Sequence, residues 1–243
     1  MADEILWKYF EELAEQETSW YEWYRHLNGW HRFNTFYTHY LKVENKRAKL
    51  LECMTPCDHD CPSQIVENTP SDIYATCPQK KADPIQLKFR DILIYSLRRE
   101  VLHQAFCSTL QIERPSGNRW PEFGSTWYLG DHYDAANKIL CPVYLTYRTA
   151  TLSETINSLC RLHHEPFVLM IPTERRLTPE TQHILTDNKS ILLSIEAEFA
   201  LQPDGSFQSV RSISECMKLY NHGCPGAVKN SVSSLIRKQN ISG

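Results

Sequence analysis

Four cysteines between positions 53 and 77 have the residue type and the spacing of a zinc site. They form the pattern Cys53-x3-Cys57-x3-Cys61-x15-Cys77. Zinc prefers four soft or borderline ligands in a tetrahedron, and thiolates held in tight loops supply that arrangement at low entropic cost. The pattern therefore predicts a structural zinc ion bound by these four side chains.

The residues around the cysteines favour a compact loop and hairpin over a helix. Pro56 and Pro62 interrupt the helix that would otherwise place Cys53, Cys57 and Cys61 on one face. Apolar residues over 65–66 and 73–75 predict a small hairpin that brings Cys61 and Cys77 together. In shape and spacing the segment resembles a zinc ribbon or knuckle, and this resemblance implies no particular activity.

Other ligands and other chemistries stay open for this segment. If only three of the thiols bind, His59, Asp58 or Asp83 could complete the ligand set. A catalytic zinc would need an open coordination position and a nearby general base such as Glu67. Without a metal, the alternatives are buried inert thiols or regulatory disulfide chemistry.

A shortage of glycine excludes several common catalytic loops. Only 8 of the 243 residues are glycine, which is about half the usual share. The chain has no G-x-G-x-x-G, G-x-x-x-x-G-K-[ST], G-x-S-x-G or H-E-x-x-H motif. The sequence therefore favours a non-enzymatic, zinc-stabilised scaffold or regulatory subunit. An enzyme with an open zinc site, or with a site at the carboxyl ends of α/β strands, is an alternative. For the strand ends the candidate residues are Thr146, Arg148, Thr173, Glu174 and Arg175.

Aromatic residues crowd the N-terminal part of the chain, with twelve between positions 7 and 40. Their spacing predicts helices over 3–16 and 19–50, with a break or kink at Asn28-Gly29. Such rings commonly pack a core. Two faces of the second helix carry them, however, and this favours a docking surface for a partner protein. With two tryptophans from the region 114–131, the candidate partner-binding residues are Trp20, Tyr21, Trp30, Phe36, Trp120 and Trp127.

The remaining elements predict an α/β fold, with α+β as an alternative. Helices at 151–163 and from Thr178 separate apolar strands at 142–147, 166–171 and from 191, which predicts adjacent parallel strands. Further strands are predicted at 105–112 and 125–130, and further helices through 89–101, 212–221 and 227–239. The predicted domains are an aromatic-rich helical arm (1–50), a cysteine-rich zinc module (51–84), an α/β domain with a mixed or parallel sheet (85–201), and a C-terminal turn with a helix pair (202–243).

Charge and hydropathy limit the partners and the location. A net charge of −3 and a pI near 6.4 argue against coating nucleic acid through bulk charge. Lys229, Arg237 and Lys238 on the last predicted helix keep a nucleic-acid-associated regulator as an alternative. The acidic start does not resemble a signal peptide, and no apolar run reaches the ~18 residues of a membrane span. These features predict a cytoplasmic protein, in which cysteines serve as metal ligands more readily than as disulfides.

Overall fold

The chain forms a mixed helix and strand structure, which confirms the predicted α/β class. A computed structural model describes residues 4–13, 17–53, 61–80, 82–113, 122–123, 126–134, 138–163 and 165–221. The chain divides into two compact units, Met1–Val101 and Leu102–Gly243. In the part of the chain that the structure describes, no helix has the length and apolar character needed to cross a membrane.

The first unit combines three short helices with two antiparallel sheets. Its helices are α1 (Glu4–Glu12), α2 (Trp20–Leu27) and α3 (Phe33–Tyr40). Its strands are β1 (Glu17–Ser19), β2 (Leu41–Arg47), β3 (Leu50–Leu51), β4 (Ser63–Thr69), β5 (Asp72–Thr76), β6 (Ile85–Leu87) and β7 (Leu93–Leu97). One sheet has the order β1-β7-β2, and the other has the chain order β3-β4-β5-β6. Cys53, Cys61 and Cys77 lie beside strands of this second sheet.

Two predicted helices of this unit are wrong because strand pairing overrides the local pattern. The helix predicted over 19–50 breaks after α2, as the Asn28-Gly29 signal indicated, and ends with α3 at Tyr40. The following strand β2 pairs with β7, with Leu41 opposite Leu97. The helix predicted through 89–101 is a 3-10 turn over Phe89–Ile92 followed by β7. Strands β2 and β7 are about 50 residues apart in the sequence. Hydrophobic periodicity is measured over a few residues and gives no information about a partner at that distance.

The second unit is a five-stranded sheet with helices against it. Its elements are α4 (Arg99–Leu110, beginning in the last residues of the first unit), β8 (Glu122–Phe123), β9 (Thr126–Asp134), β10 (Ile139–Thr146), α5 (Leu152–Leu162), β11 (Val168–Ile171), α6 (Pro179–Asp187), β12 (Ile191–Ser194), α7 (Ile195–Glu198), β13 (Phe199–Leu201), β14 (Phe207–Ser209) and α8 (Ile213–Asn221). The strand order is β12-β11-β10-β9-β8, and β10, β11 and β12 are parallel. This confirms the predicted parallel strands over 142–200. The strand predicted at 105–112 is wrong, since α4 occupies most of it.

Burial on both faces of the sheet explains the uniformly apolar strands. All four residues of β11 are buried, as expected for a central parallel strand. Ile156 of α5 and Leu185 of α6 pack with Leu169 in one core cluster. On the opposite face, Met217 of α8 lies 3.9 Å (Sδ to Sγ) from Cys141 of β10. The helix predicted at 212–221 is therefore confirmed, whereas the one predicted at 227–239 lies outside the described residues.

Candidate functional site

Three of the four predicted zinc ligands lie next to strand ends of the four-stranded sheet. Cys53 follows β3 by two residues, and Cys61 precedes β4 by two residues. Cys77 comes directly after β5, and all three side chains are partly buried. The hairpin that the apolar pairs predicted is confirmed as β4 and β5. The hairpin thus places Cys61 and Cys77 at the ends of two neighbouring strands.

The register of the strands puts the cysteines at one end and on one face of this sheet. Leu51 of β3 pairs with Ser63 of β4, so the same register continued by two residues sets Cys53 opposite Cys61. Gln64 of β4 pairs with Thr76 of β5, which sets Cys77 opposite Ser63. Directly opposed residues, and residues two apart on a strand, share a face. The three cysteines therefore lie at the same end of the sheet, beside the neighbouring strands β3, β4 and β5.

The same face is buried by the hydrophobic core of the sheet. Leu51, Ile73, Ala75 and Leu87 belong to one buried cluster. Ala75 precedes Cys77 by two residues and so shares its face. A metal at this end would extend the small apolar core of the sheet, as structural zinc does in small domains.

The ligand set itself is only partly described. Among the residues that the structure describes, no three Cys, His, Asp or Glu side chains are close enough to hold a metal ion. Cys57, Asp58 and His59 lie outside the described residues, and Asp83 is exposed. The thiol donor set fits zinc by its chemistry. Cys53, Cys61 and Cys77 are among the described residues, so these three thiols do not form a metal site by themselves, and the zinc site stays a prediction.

The structure gives no support to Glu67 as the base of a catalytic zinc. Glu67 lies on β4, six residues beyond Cys61, which is about 20 Å along an extended strand. Its Oε2 accepts a hydrogen bond from the guanidinium of Arg47 at 2.9 Å. The Glu67 carboxylate is thus at the far end of the strand from the cysteines, and it forms an ion pair with Arg47.

The predicted docking aromatics are mostly core residues, which corrects the sequence-based prediction. Trp30 and Phe36 are 2% and 0% exposed, and their rings lie 5.8 Å apart. Trp20 is buried beneath the guanidinium of Arg90, which lies 3.7 Å from the ring centre. The predicted long helix is in fact two short helices, and Trp20 of α2 and Phe36 of α3 each lie on a buried face. Side chains without exposed surface cannot form a docking contact.

The other three predicted docking residues do not change this result. Tyr21 is partly buried and packs against the core of the four-stranded sheet. Trp127, on β9 of the second unit, is buried at 9% exposure. Trp120 lies outside the described residues. Four of the six aromatics are therefore buried, and these four do not form the surface that the sequence predicted.

A second polar arrangement lies at the carboxyl ends of the parallel strands in the second unit. Thr146 ends β10, and its buried hydroxyl oxygen accepts the backbone N–H of Arg148 at 3.3 Å. Thr173 follows β11, and its buried hydroxyl accepts the N–H of Arg175 at the same distance. Both arginine side chains are exposed. The same Thr-x-Arg pattern thus follows two neighbouring strands, and each copy carries one exposed arginine.

The start of α5 belongs to the same edge of the sheet. A 3-10 turn over Thr149–Thr151 leads into α5, and neither the Arg148 nor the Thr151 side chain caps it. The Thr149 hydroxyl is buried and has no hydrogen-bond partner within the described residues. Helix N-termini with uncapped N–H groups favour anions. The edge therefore combines two arginines with a helix N-terminus.

An ion pair that the sequence analysis missed lies just beyond the end of β12. Glu198 is 4% exposed, and its Oε2 accepts a hydrogen bond from Arg211 Nε at 3.1 Å. A second N–H of Arg211 donates to Oε1, and these contacts raise the pKa of the guanidinium. The two residues are thirteen positions apart in sequence and come together only through the β13–β14 hairpin.

Two cysteines of this unit, Cys160 and Cys216, do not have the properties of nucleophiles. Burial, and to a smaller extent the charge of Glu198, raise the pKa of Cys216 to about 12. Burial also raises the pKa of Cys160. Thiols with a raised pKa remain protonated at neutral pH, and the thiolate is the reactive form. These two positions are therefore structural.

Comparisons with known proteins identify no relative. No protein-family model, no curated protein and no solved structure matches the chain. The molecule is thus defined by its own features: an α/β protein with a cysteine-bearing four-stranded sheet in one unit and a parallel-strand edge with two arginines in the other.

Proposed function

We propose that this chain is a non-enzymatic, zinc-stabilised scaffold or regulatory subunit that binds a partner protein. The observation that carries the proposal is that Cys53, Cys61 and Cys77 flank three neighbouring strands, β3, β4 and β5, at one end of a sheet. With Cys57 as the fourth ligand the zinc site is closed, and a closed site stabilises a fold without offering a position for substrate. Thiolate ligands also suit the reducing cytoplasm, where the proposal places the protein.

Metal analysis tests the zinc part of this proposal. The full chain, purified without a chelator, is expected to contain stoichiometric zinc by elemental analysis. A strong chelator is expected to lower its thermal unfolding midpoint, because metal-binding energy in such a site is also folding energy. A chain that remains free of zinc after incubation with the metal, and that unfolds at the same temperature with chelator, would contradict the proposal.

The surface proposed for the partner is the outer face of the four-stranded sheet. Leu50 and Val66 lie on this face at 51% and 42% exposure. Val66 pairs with the partly exposed Tyr74 on the neighbouring strand. Apolar side chains grouped on adjacent strands suit a protein interface better than the buried aromatics of the helices do.

Charge introduced on this face tests the docking surface. The double variant Leu50→Lys/Val66→Lys is expected to weaken binding of a partner protein about tenfold or more, since apolar interface centres tolerate charge poorly. Val210→Lys, at a 47% exposed site in the other unit, is the matched control. The readout is quantitative capture by the tagged chain, with and without nuclease. Retention of the partner by the double variant would contradict the assignment of this surface to partner binding. Loss of the partner on nuclease treatment would favour the alternative of a nucleic-acid-associated regulator.

A second candidate function is ligand binding, or an enzyme, at the strand ends of the second unit. The repeated Thr-x-Arg pattern beside the start of α5 favours the binding of an anionic group such as a phosphate. Inorganic pyrophosphate is expected to raise the unfolding midpoint of the native chain and not that of Arg148→Ala/Arg175→Ala. Arg161→Ala, near the other end of α5, is the control. No stabilisation of the native chain by pyrophosphate would remove this candidate.

A further inference from the structure

Helix α2 holds the chain segment that carries Cys53. Both terminal nitrogens of the Arg25 guanidinium donate hydrogen bonds to the carbonyl oxygen of Cys53, each at 3.3 Å. One residue earlier, the backbone N–H of Glu52 donates to Oε1 of Glu22 at 2.8 Å. The Glu52 carboxylate also contacts His26 Nε2 at 2.8 Å. Three side chains of one helix thus engage two consecutive residues of the predicted ligand segment.

These side chains project from a single face of α2. Glu22, Arg25 and His26 occupy positions i, i+3 and i+4, which are neighbours on a helix surface. The Glu22 carboxylate is 7% exposed, and its other oxygen, Oε2, accepts hydrogen bonds from the hydroxyls of Ser19 and Thr18. One carboxylate oxygen is therefore fixed by the start of the helix, and the other is directed to the Glu52 amide.

The opposite face of α2 is anchored in the aromatic core. Trp23 is fully buried, and its indole N–H donates to the carbonyl oxygen of Tyr95 on β7 at 3.1 Å. Leu27 is also fully buried. The helix is consequently a rigid support, with an apolar face locked in place and a polar face directed at Glu52 and Cys53.

We infer that Arg25 and Glu22 are positioning residues for a metal-binding Cys53, so that the N-terminal helices orient the first ligand of the zinc site. The inference rests on the proposed zinc site. Groups that hold the backbone of a ligand reduce the disorder that the ligand must lose on binding metal, and removal of such outer contacts typically costs about 10–100-fold in metal affinity. The aromatic N-terminal region thereby acquires a function that does not need exposed rings.

Cobalt binding to the full chain tests this assignment. Co²⁺ reports thiolate coordination through its charge-transfer absorption, and competition with a chelator gives the affinity. Arg25→Ala is expected to weaken metal binding about 10–100-fold, with the same absorption bands at saturation. Arg25→Lys is expected to recover part of the loss, because one ammonium can still donate to the Cys53 carbonyl. Glu22→Gln provides the second variant on the same segment.

Arg98→Ala is the matched control, because Arg98 is also exposed and donates to a backbone carbonyl, that of His39, at 3.1 Å. Its metal affinity is expected to equal that of the native chain. Arg25→Ala and Glu22→Gln variants that bind Co²⁺ as tightly as the native chain would overturn the positioning role and leave the zinc site standing. A native chain that shows no thiolate–Co²⁺ absorption would overturn the zinc site and the positioning role together.

Discussion

Replacing Cys61 or Cys77 with serine is expected to remove stoichiometric zinc and to destabilise the first unit by about 3 kcal/mol or more. The estimate is a fraction of the ~10–16 kcal/mol that a structural zinc contributes to small zinc domains. A serine hydroxyl is a poor zinc ligand, so three thiols would have to hold the ion alone. Elemental analysis gives the metal content, and urea unfolding followed by tryptophan fluorescence gives the free energy of unfolding.

Cys160→Ser is the matched control for these variants. Cys160 is also partly buried, but it lies on α5 in the second unit. We expect full zinc content and a small change in stability for this variant. Cys57→Ser and His59→Ala distinguish the predicted four-thiol set from a set completed by histidine. Full zinc retention by both Cys61→Ser and Cys77→Ser would contradict the assignment of these ligands.

Replacing Gly130 with alanine is expected to destabilise the second unit by about 3 kcal/mol or more. Gly130 has a φ of +137°, and a Cβ there would lie 2.0 Å from the carbonyl oxygen of Glu113 and 2.8 Å from Cγ2 of Ile112. The chain has to approach closely here because Glu113 forms a bridge to Asp131, next to a bulge in the pairing of β9 and β10. Backbone strain and overpacking each contribute about 1–3 kcal/mol at such sites.

Gly29→Ala is the control for this substitution. No heavy atom lies within 4 Å of a Cβ built at Gly29, which follows α2. Its expected effect is neutral, or a stabilisation of up to about 1 kcal/mol through the reduced freedom of the unfolded chain. Urea unfolding of both variants gives the comparison. A Gly130→Ala chain as stable as Gly29→Ala would show that the backbone at β9 can relax away from Glu113.

The parallel strands of the second unit were predictable because their signals are local. The uniformly apolar run over 167–171 indicates a strand buried on both faces, and β11 is such a strand. The apolar residues from 191 indicate a further strand, which is β12. Thr178 before Pro179 indicates a helix start, and its hydroxyl accepts the N–H of Thr181 in α6. Each of these signals depends on residues within one turn or one strand, so no distant partner was needed.

The cysteine site was partly predictable for the same reason. The thiol spacing and the hairpin of β4 and β5 lie within 25 residues of sequence. The pairing of β3 with β4, which puts Cys53 and Cys61 at the same end of the sheet, was not predicted. Nor were the contacts of Arg25 and Glu22 with the Cys53 segment, which span about thirty positions. Exposed arginines and capping carboxylates are too common in helices for sequence alone to select these two.

The aromatic helices show most clearly where local information ends. Helical spacing assigned Trp20, Trp30 and Phe36 to helices or their ends, but burial depends on what surrounds a side chain. The surrounding elements include α3 and β7, and β7 begins more than fifty residues after Phe36. Residue type and short-range spacing thus determined the apolar strands, the caps and the thiol chemistry. Long-range strand pairing decided which rings are enclosed, which strand ends carry the thiols and which charged side chains form ion pairs, because those properties require chain segments that are distant in sequence.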